Sequence, residues 1–352
     1  MCLEEELKTV GPVDEAVAEL SRKKWLAVAK PLFSLGRLEE LVTRIAAVSG
    51  DVDADCSKKA LVIMCADNGV VDEGVTQCDR GITAMVTENF TKRSASVCIM
   101  AERADCDLFP VDIGVETDVP GVTDRSEKIM YCTNNIAKGA AMTRGEAERA
   151  VLVGIRKVKK LKAEGYKLIA TGEMGIGNTT TAAAVLSVLL GADPELVTGR
   201  GAGLSSDGLA RKTEVIKTAI ALNRPDKDDI IDVISKVGGL DIAGMCGVFL
   251  GGAVCRVPVI IDGVISAAAA LCAVRLCPAA AGYMIPSHVS KEPASAMALE
   301  ALGMEPYLNC GMFLGEGSGA VALMPLIDMA VNVYNDMPTF GSWDREGYKI
   351  LE

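Results

Sequence analysis

The chain has 352 residues, of which 50% are apolar and 24% charged, and its formal net charge is −11. This composition is that of a folded globular protein and excludes a disordered chain. The acidic balance opposes binding to nucleic acids and anionic membranes, and the 4% aromatic content offers few side chains on which bases could stack. We therefore expect neither a nucleic acid nor a membrane as a partner.

Twelve cysteines and a single histidine limit the metal and redox chemistry open to the chain. No two cysteines form a CxxC pair, whereas zinc sites need ligands clustered at short spacing. The sequence therefore predicts no metal site. A chain of this length builds its core without a disulfide framework, so we interpret the cysteines as buried thiols in a reducing cytosol. The cysteines are at positions 2, 56, 65, 78, 98, 106, 132, 246, 255, 272, 277 and 310.

Two segments decide whether the chain is exported or inserted in a membrane. The first ten residues, MCLEEELKTV, are acidic and lack the apolar core of a signal peptide. The most apolar stretch, 257–274, is interrupted by Asp262 and Gly263, and its alanine-rich half is less apolar than a lipid-facing helix needs. We interpret this stretch as a buried strand and a buried helix, and we expect a cytoplasmic protein.

In chain order, residues 13–30 and 37–48 show apolar positions at helical spacing. From residue 60, short β-rich runs end in glycine or aspartate and lead into helical segments. This alternation predicts a doubly wound, mostly parallel α/β sheet of the Rossmann-like class, with ligands beyond the carboxyl ends of the strands. A last helix and a polar tail predict a small helical domain from 1–50 plus 328–352, beside a large domain at 51–327. Four strand-to-loop junctions are clear, within 59–70, 106–115, 166–190 and 257–271.

The segment TGEMGIGNTTTAAA (171–184) joins a predicted strand to a predicted helix through a glycine-rich loop. Such a loop presents free N–H groups and the positive end of the helix dipole to an anion. Its spacing is neither that of a Walker A loop nor GxGxxG. We predict a site for a single phosphate, while a connection that merely needs glycine stays open. Glu173 would suit sugar hydroxyls, or a positive charge that develops beside the phosphate.

A second glycine-rich turn, GRGAGLSSDGLARK (199–212), is followed by a basic helix. An acidic protein that binds phosphate needs local cations to overcome its overall field. Lys212 is the preferred phosphate contact, although Arg211 and Lys212 also fit a solvated helix face.

The segment FLGEGSGAVALMPLI (313–327) places Glu316 between glycines and just before an apolar helix. Apolar neighbours would raise the pKa of this carboxyl toward a value suited to a general base. The other interpretation is a first-turn glutamate that the helix dipole favours.

His288 is the single candidate for a histidine-dependent mechanism, but no GxSxG motif accompanies it. We therefore favour a structural or positioning role. Asp67 and Asp262 follow predicted strands, where they would orient ligand groups or form turns.

Taken together, these segments strongly resemble the nicotinate-nucleotide:dimethylbenzimidazole phosphoribosyltransferases, which act in assembly of the lower ligand of cobamides, the vitamin B12 group. The resemblance covers nearly the whole chain in order. It rests on KPLFSLGRLEELV (30–42), TGEMGIGNTTTAAA, GRGAGL, GGLDIAGMCG (238–247), DGVISAAAAL (262–271), SHVSKEPA (287–294) and LGEGSGA (314–320).

The resemblance implies a dimer and a pentosyl transfer without cofactor. Nicotinate mononucleotide would donate its 5-phosphoribosyl group to a lower-ligand base such as 5,6-dimethylbenzimidazole, which gives an α-glycosidic nucleotide and nicotinate. It assigns the base to Glu316 and a role near the ribose and reacting centre to Glu173. The implied phosphate and ribose cradle comprises Gly175, Ile176, Gly177, Asn178, Thr179, Gly201 and Lys212.

Some residues depart from the family pattern. Leu32 and Phe33 stand where proline and glycine are usual, and Asn68 replaces a histidine. The implied acceptor pocket contains Thr76, Ala84 and Leu314, with Ala84 where we expect a glutamine. Loss of that polar contact leaves open a phenolic acceptor, phenol or p-cresol, with this chain as the catalytic subunit of a heterodimer with a paralogue.

Two rival functions differ in class. A non-catalytic nucleotide-binding subunit would have no need of the two glutamates, which weighs against it. A dehydrogenase that uses NAD would need a GxGxxG-to-acid spacing that the sequence lacks.

Overall fold

The computed structural model describes residues 2–350, and these contain a five-stranded, all-parallel sheet in the order β2-β1-β3-β4-β5. This confirms the predicted α/β class and the four predicted strand-to-loop junctions. The fifth strand, β5, is not among the predicted elements. The strands are β1 Lys59–Ala66, β2 Cys106–Gly114, β3 Leu168–Met174, β4 Val259–Ile261 and β5 Met284–Pro286.

Helices cover both faces of the sheet, as parallel strands require because each needs a crossover connection. Residues 69–73, 278–283 and 340–343 form short 3₁₀ helices. The α-helices are α1 Leu3–Leu7, α2 Glu15–Ala27, α3 Arg37–Ser49, α4 Gly81–Thr91, α5 Ser96–Arg103, α6 Arg144–Ala163, α7 Asn178–Leu190, α8 Pro194–Val197, α9 Ser206–Asn223, α10 Ile230–Val237, α11 Leu240–Cys255, α12 Val264–Leu276, α13 Ala294–Ala301 and α14 Ser318–Asp336.

Strand β1, which lies between β2 and β3, divides its side chains between two apolar cores. Val62 and Met64 face a core shared with α6, α11 and α12, while Leu61 and Ile63 face a core shared with α3, α5 and α14. Successive side chains of a strand point to opposite faces, and both faces of this sheet are covered. This explains why the strand reads as one continuous apolar run.

The two ends of the chain meet on one side of the sheet. The rings of Trp25 and Tyr334 lie 4.8 Å apart, and the Tyr334 hydroxyl donates to the Val52 carbonyl at 2.8 Å. Val28 forms an antiparallel bridge with Thr339. Helix α2 therefore ends at Ala27, before the end of the predicted helical segment at residue 30. The division into two domains stays a prediction. Helix α14 continues without a break across the predicted domain boundary at 327/328.

The twelve cysteines are free thiols, and eight of them are buried. Cys2 and Cys310 are exposed, and Cys78 and Cys255 are half-buried, which differs from the expectation for these four. Among residues 2–350, no three His, Cys, Asp or Glu side chains are grouped to hold a metal ion. None of the helices in this part of the chain is both long and apolar enough to cross a membrane.

Candidate active site

The candidate site lies at the carboxyl ends of the strands, where four loops meet. These loops follow β1, β3, β4 and β5, and a fifth segment before α14 closes over them. Parallel strands end at the same edge of a sheet, so residues distant in sequence are brought together there.

The loop between β3 and α7 needs glycine at two positions. Gly177 has φ +93°, and a methyl group on it would stand 2.9 Å from Cγ2 of Val71. A methyl group on Gly175 would overlap the carbonyl oxygen of Ala66 and stand 2.8 Å from Oδ2 of Asp241. Only glycine fits both places without a shift of the backbone.

The first turn of α7 leaves backbone N–H groups free. The N–H of Ile176 donates to Oγ1 of Thr83 at 3.1 Å, and the N–H of Thr180 donates to the Gly177 carbonyl at 2.9 Å. Those of Gly177 and Thr179 have no acceptor among residues 2–350. Unpaired N–H groups at a helix start form an anion site, so this loop has the chemistry predicted for a phosphate.

Lys212 lies behind this loop and not on the cavity wall. Its ammonium group donates to Oγ1 of Thr179 at 2.7 Å and to the Gly199 carbonyl at 3.1 Å, and the residue is 1% exposed. Burial lowers the pKa of Lys212 to about 8, an effect that the charge of Glu292 opposes. Gly201, whose N–H donates to Glu292 at 3.1 Å, lines the cavity in front of it. Direct contact of Lys212 with a phosphate stays a prediction.

Glu173 is the last but one residue of β3 and is buried beside the loop. The Asn178 side-chain amide donates to its Oε2. Burial, followed by the charge of Asp241, raises the pKa of Glu173 to about 8, while the Asn178 hydrogen bond opposes the shift. The raised pKa favours the protonated form of this carboxyl.

Glu316 lines the same cavity as Glu173. Its backbone has φ +62°, between Gly315 at +83° and Gly317 at +92°, so three left-handed residues in succession form this segment. Its N–H donates to Oε1 of Glu173 at 3.4 Å, and its Oε2 accepts from the N–H of Val97 at 3.1 Å. Burial raises the pKa of Glu316, and the Val97 hydrogen bond opposes this. The two predicted catalytic glutamates therefore share one cavity.

Asp262 holds the Glu316 segment in place. Its carboxylate accepts from the N–H groups of Gly317, Gly319 and Ala320 at 3.2, 2.7 and 3.0 Å. It thereby caps α14 from the loop that follows β4. The His288 ring packs against Gly319, where a methyl group would overlap it. Burial raises the pKa of Asp262, and the charge of His288 opposes the shift.

These groups enclose a cavity of about 260 Å³. Its walls include Glu173, Glu316, the whole 175–179 segment and Gly201, which the sequence pointed out together. The sequence alone did not identify the rest of the lining. Several of these residues directly follow a strand, and that position could have marked them, since ligands bind beyond the carboxyl ends of parallel strands. The missed lining residues are Val86, Met174, Ala202, Gly263, Val264, Ile265, Ser266, Ser290, Glu292 and Phe313.

The three predicted acceptor residues do not all reach the cavity. Thr76 and Leu314 line it, but Ala84 is absent from its walls and packs against the core that contains Phe90. Val86, two residues further along α4, lines the cavity. A helix turns about 100° per residue, so an alignment error of two residues moves a side chain to another face. The acceptor contact of Ala84 stays a prediction.

A larger groove of about 940 Å³ lies among α2, α3 and the segment after β5. It has neither a glycine-rich loop nor the Glu173–Glu316 pair. We assign the site to the smaller cavity, because its polar groups converge and the pKa values of its carboxyls are raised.

Comparisons with known proteins identify the family of the chain. A sequence model of a family described as "Phosphoribosyltransferase" matches residues 10–343. The chain is 48% identical to the nicotinate-nucleotide–dimethylbenzimidazole phosphoribosyltransferase of Acetivibrio thermocellus, over 97% of this chain and 98% of that protein. It is also 48% identical to the enzyme of that name from Ruminiclostridium cellulolyticum, over the full length of both.

A solved structure extends the likeness to the fold. The crystal structure of CobT from Thermus thermophilus superposes with a TM-score of 0.88 at 38% identity, over 94% of this chain and 99% of that one. The family description and the names of both full-length relatives all specify a phosphoribosyltransferase. The chain belongs to the nicotinate-nucleotide–dimethylbenzimidazole phosphoribosyltransferase family.

Proposed function

We propose that this protein transfers the 5-phosphoribosyl group of nicotinate mononucleotide to a cobamide lower-ligand base of the dimethylbenzimidazole type. The observation that carries the proposal is the meeting of an anion-binding loop and two carboxyls in one cavity. The names of the relatives support the donor and the acceptor class.

The donor binds with its phosphate on the loop that precedes α7. The free N–H groups of Gly177 and Thr179 hold the phosphate oxygens, and Lys212 supplies positive charge from behind Thr179. The protonated Glu173 carboxyl donates a hydrogen bond to a ribose hydroxyl. This arrangement fixes the anomeric carbon while the nicotinate ring stays free to leave.

The reaction breaks the bond between the anomeric carbon and the pyridinium nitrogen. The electron pair of that bond returns to the ring, which leaves as a neutral pyridine, so no general acid is needed. A ring nitrogen of the acceptor forms the new bond on the opposite face, which inverts the configuration.

The acceptor must lose its N–H proton, and Glu316 takes it. The N–H of Val97 occupies Oε2 of Glu316, whereas Oε1 has no such donor among residues 2–350. We assign Oε1 to the acceptor proton. A raised pKa makes this carboxylate a better proton acceptor than an exposed glutamate.

An acceptor panel tests the proposal directly. The purified chain is incubated with nicotinate mononucleotide and either dimethylbenzimidazole, benzimidazole, adenine, phenol or p-cresol, and nicotinate release and product mass are measured. We expect the fastest release with dimethylbenzimidazole or benzimidazole. Preference for phenol or p-cresol would support the phenolic alternative. Binding of the donor without release, with each acceptor, would support a non-catalytic subunit.

Replacement of Lys212 tests the phosphate cradle. We expect Lys212→Met to raise the KM for nicotinate mononucleotide about 10- to 100-fold, with a smaller change in kcat, because the phosphate loses the attraction of a buried positive charge behind Thr179. Lys217→Met, on the same helix but at the surface, is the matched control. An unchanged KM would mean that Lys212 only ties Thr179 to Gly199.

The assembly and the compartment remain expectations that accompany this function. We propose a homodimer in the cytoplasm, or a heterodimer with a paralogue if the acceptor is a phenol. Light scattering on the purified chain measures the mass in solution. A monomer that is active alone would contradict both assemblies.

A further inference from the structure

A second helix start lines the cavity besides that of α7, and the proposed reaction gives it no role. Helix α12 begins at Val264, close behind β4, and its first three residues line the same cavity as Glu173 and Glu316. The N–H groups of Val264, Ile265 and Ser266 have no acceptor among residues 2–350, and no side chain caps the helix. All three residues are buried. Buried N–H groups are seldom left unpaired, so these three point to an anionic ligand.

A histidine from the segment after β5 points to the same ligand. His288 is 3% exposed and lines the cavity. Its Nδ1 forms a hydrogen bond of 3.0 Å with the Ser287 hydroxyl, whereas its Nε2 has no partner among residues 2–350. The Cε1 atom bonded to Nε2 lies 4.0 Å from the position that a methyl group on Gly263 would take. Because Gly263 is the residue that precedes α12, the unpaired nitrogen lies beside the start of that helix.

Ser290 adds a hydroxyl donor beside the histidine. It is buried and lines the cavity, and its oxygen accepts from the N–H of Glu292 at 3.4 Å, while its proton has no acceptor among residues 2–350. His288 is also a donor, since Nε2 carries a proton in an imidazolium and in a neutral ring whose Nδ1 accepts from Ser287. These groups are all donors, which suits an acceptor-only group such as a carboxylate. We call them the α12 subsite, which comprises Val264, Ile265, Ser266, His288 and Ser290.

The aspartate that precedes α12 leaves this helix start uncapped. An aspartate near a helix start commonly accepts from the first-turn N–H groups of its own helix. Asp262 instead turns its carboxylate to α14. Its two oxygens accept from the N–H groups of Gly317, Gly319 and Ala320. The first turn of α12 is thereby kept open toward the cavity.

The sheet order places the α12 subsite and the proposed acceptor residues on opposite sides of Glu173. Strand β3, which carries Glu173, lies between β1 and β4. Thr76 and Val86 belong to the segment that follows β1, whereas α12 follows β4. An inverting displacement holds the acceptor and the leaving group on opposite faces of the anomeric carbon. An acceptor on the β1 side therefore puts the leaving ring on the β4 side, at the α12 subsite.

We propose that the α12 subsite binds the carboxylate of the leaving pyridine-3-carboxylate ring, and that it thereby selects a nicotinate donor over a nicotinamide donor. This inference rests on the proposed function. The donor carries two anionic groups, a phosphate and the ring carboxylate, and the cavity contains two helix starts. The start of α7 takes the phosphate, and the start of α12 takes the carboxylate. The ring is then held by its carboxylate and not through its nitrogen, which stays free to leave.

Binding of the free ring tests the α12 subsite without turnover. Calorimetry compares nicotinate with nicotinamide, which has the same ring but carries an uncharged amide. We expect the wild-type protein to bind nicotinate about 10-fold more tightly or better, because hydrogen bonds to a charged group are the stronger ones. Ser290→Ala and His288→Asn should each reduce this preference about 10-fold, since each removes one donor to the carboxylate.

A conservative variant and a matched control separate binding from packing. The amide of His288→Gln reaches about as far as Nε2, whereas the shorter His288→Asn replaces Nδ1 alone, so the preference should return in His288→Gln. Ser187→Ala is the control, because Ser187 is buried in α7, donates to the Ala192 carbonyl at 2.6 Å and does not line the cavity. It should lower the melting temperature and leave the preference unchanged. Ser290→Ala removes a single hydroxyl, so it keeps the test available if a His288 variant does not fold.

Equal affinity of the wild-type protein for nicotinate and nicotinamide would overturn the proposal, as would an unchanged preference in both Ser290→Ala and His288→Asn. The same variants distinguish the two anionic groups of the donor. If nicotinate mononucleotide and nicotinamide mononucleotide lose affinity equally in them, the α12 subsite holds the phosphate and the proposal is wrong. Failure of the proposed function appears in the acceptor panel, whereas nicotinate binding is measured without an acceptor, so the two failures are distinguishable.

Discussion

Glu316→Gln should lower the rate of nicotinate release in the presence of acceptor by about 10²- to 10⁴-fold, the usual contribution of a general base. The amide keeps the shape of the side chain and cannot take a proton from the acceptor ring. The KM for the donor should change little, because the phosphate and ribose contacts lie elsewhere. The acid limb of the kcat profile should also disappear, since a base with a raised pKa loses activity as the pH falls through that value.

The matched control is Glu300→Gln, an exposed glutamate in α13. It should leave both rate and pH profile unchanged. Steady-state assays of nicotinate release, with melting temperatures of both variants, provide the measurement. Turnover of Glu316→Gln close to that of the wild type would remove Glu316 from the role of base.

Gly177→Ala should raise the KM for nicotinate mononucleotide about 10- to 100-fold. The residue has φ +93°, and the new methyl group would stand 2.9 Å from Val71, so the backbone must shift. A displacement of about 1 Å in a positioning group costs about 100-fold in rate. The N–H of Gly177 is one of the two groups assigned to the phosphate, so the shift acts directly on donor binding.

The other end of the same helix offers a matched control. Gly191 also has positive φ, +62°, but a methyl group there would meet nothing within 4 Å. Each substitution places an alanine in the left-handed region, at a cost of about 1–2 kcal/mol of unfolding free energy. Both variants should therefore melt at lower temperature, and Gly177→Ala alone should raise the KM. Equal KM values in the two variants would contradict the phosphate assignment.

Much of the fold follows from local sequence signals. The runs that form β1 and β3 are mostly apolar and are followed directly by Asp67 and Gly175, so their ends are predictable from the sequence alone. Strand β5 is not, because its three residues, Met284–Pro286, are too few to show a period. Pairing with β4 stabilises it, and that contact is invisible in the sequence.

The site shows the same division between local and distant information. The glycine pattern around Glu173 and Glu316 marks both residues, and the parallel sheet explains why positions 143 residues apart meet at one edge. The N–H of Val97 in α5 donates to Glu316. Nothing in the sequence around Val97 predicts this contact, because it depends on how α5 packs in the folded chain. The position of Ala84 was assigned by resemblance to the family alone. Val86, two residues further along the same helix, lines the cavity in its place.

A crystal structure with nicotinate mononucleotide bound tests the central claim most directly. We expect the phosphate within hydrogen-bond distance of the N–H groups of Gly177 and Thr179, and the anomeric carbon between Glu173 and Glu316. A phosphate bound in the groove between α2 and α3, or a ribose that leaves either glutamate out of reach, would contradict the account.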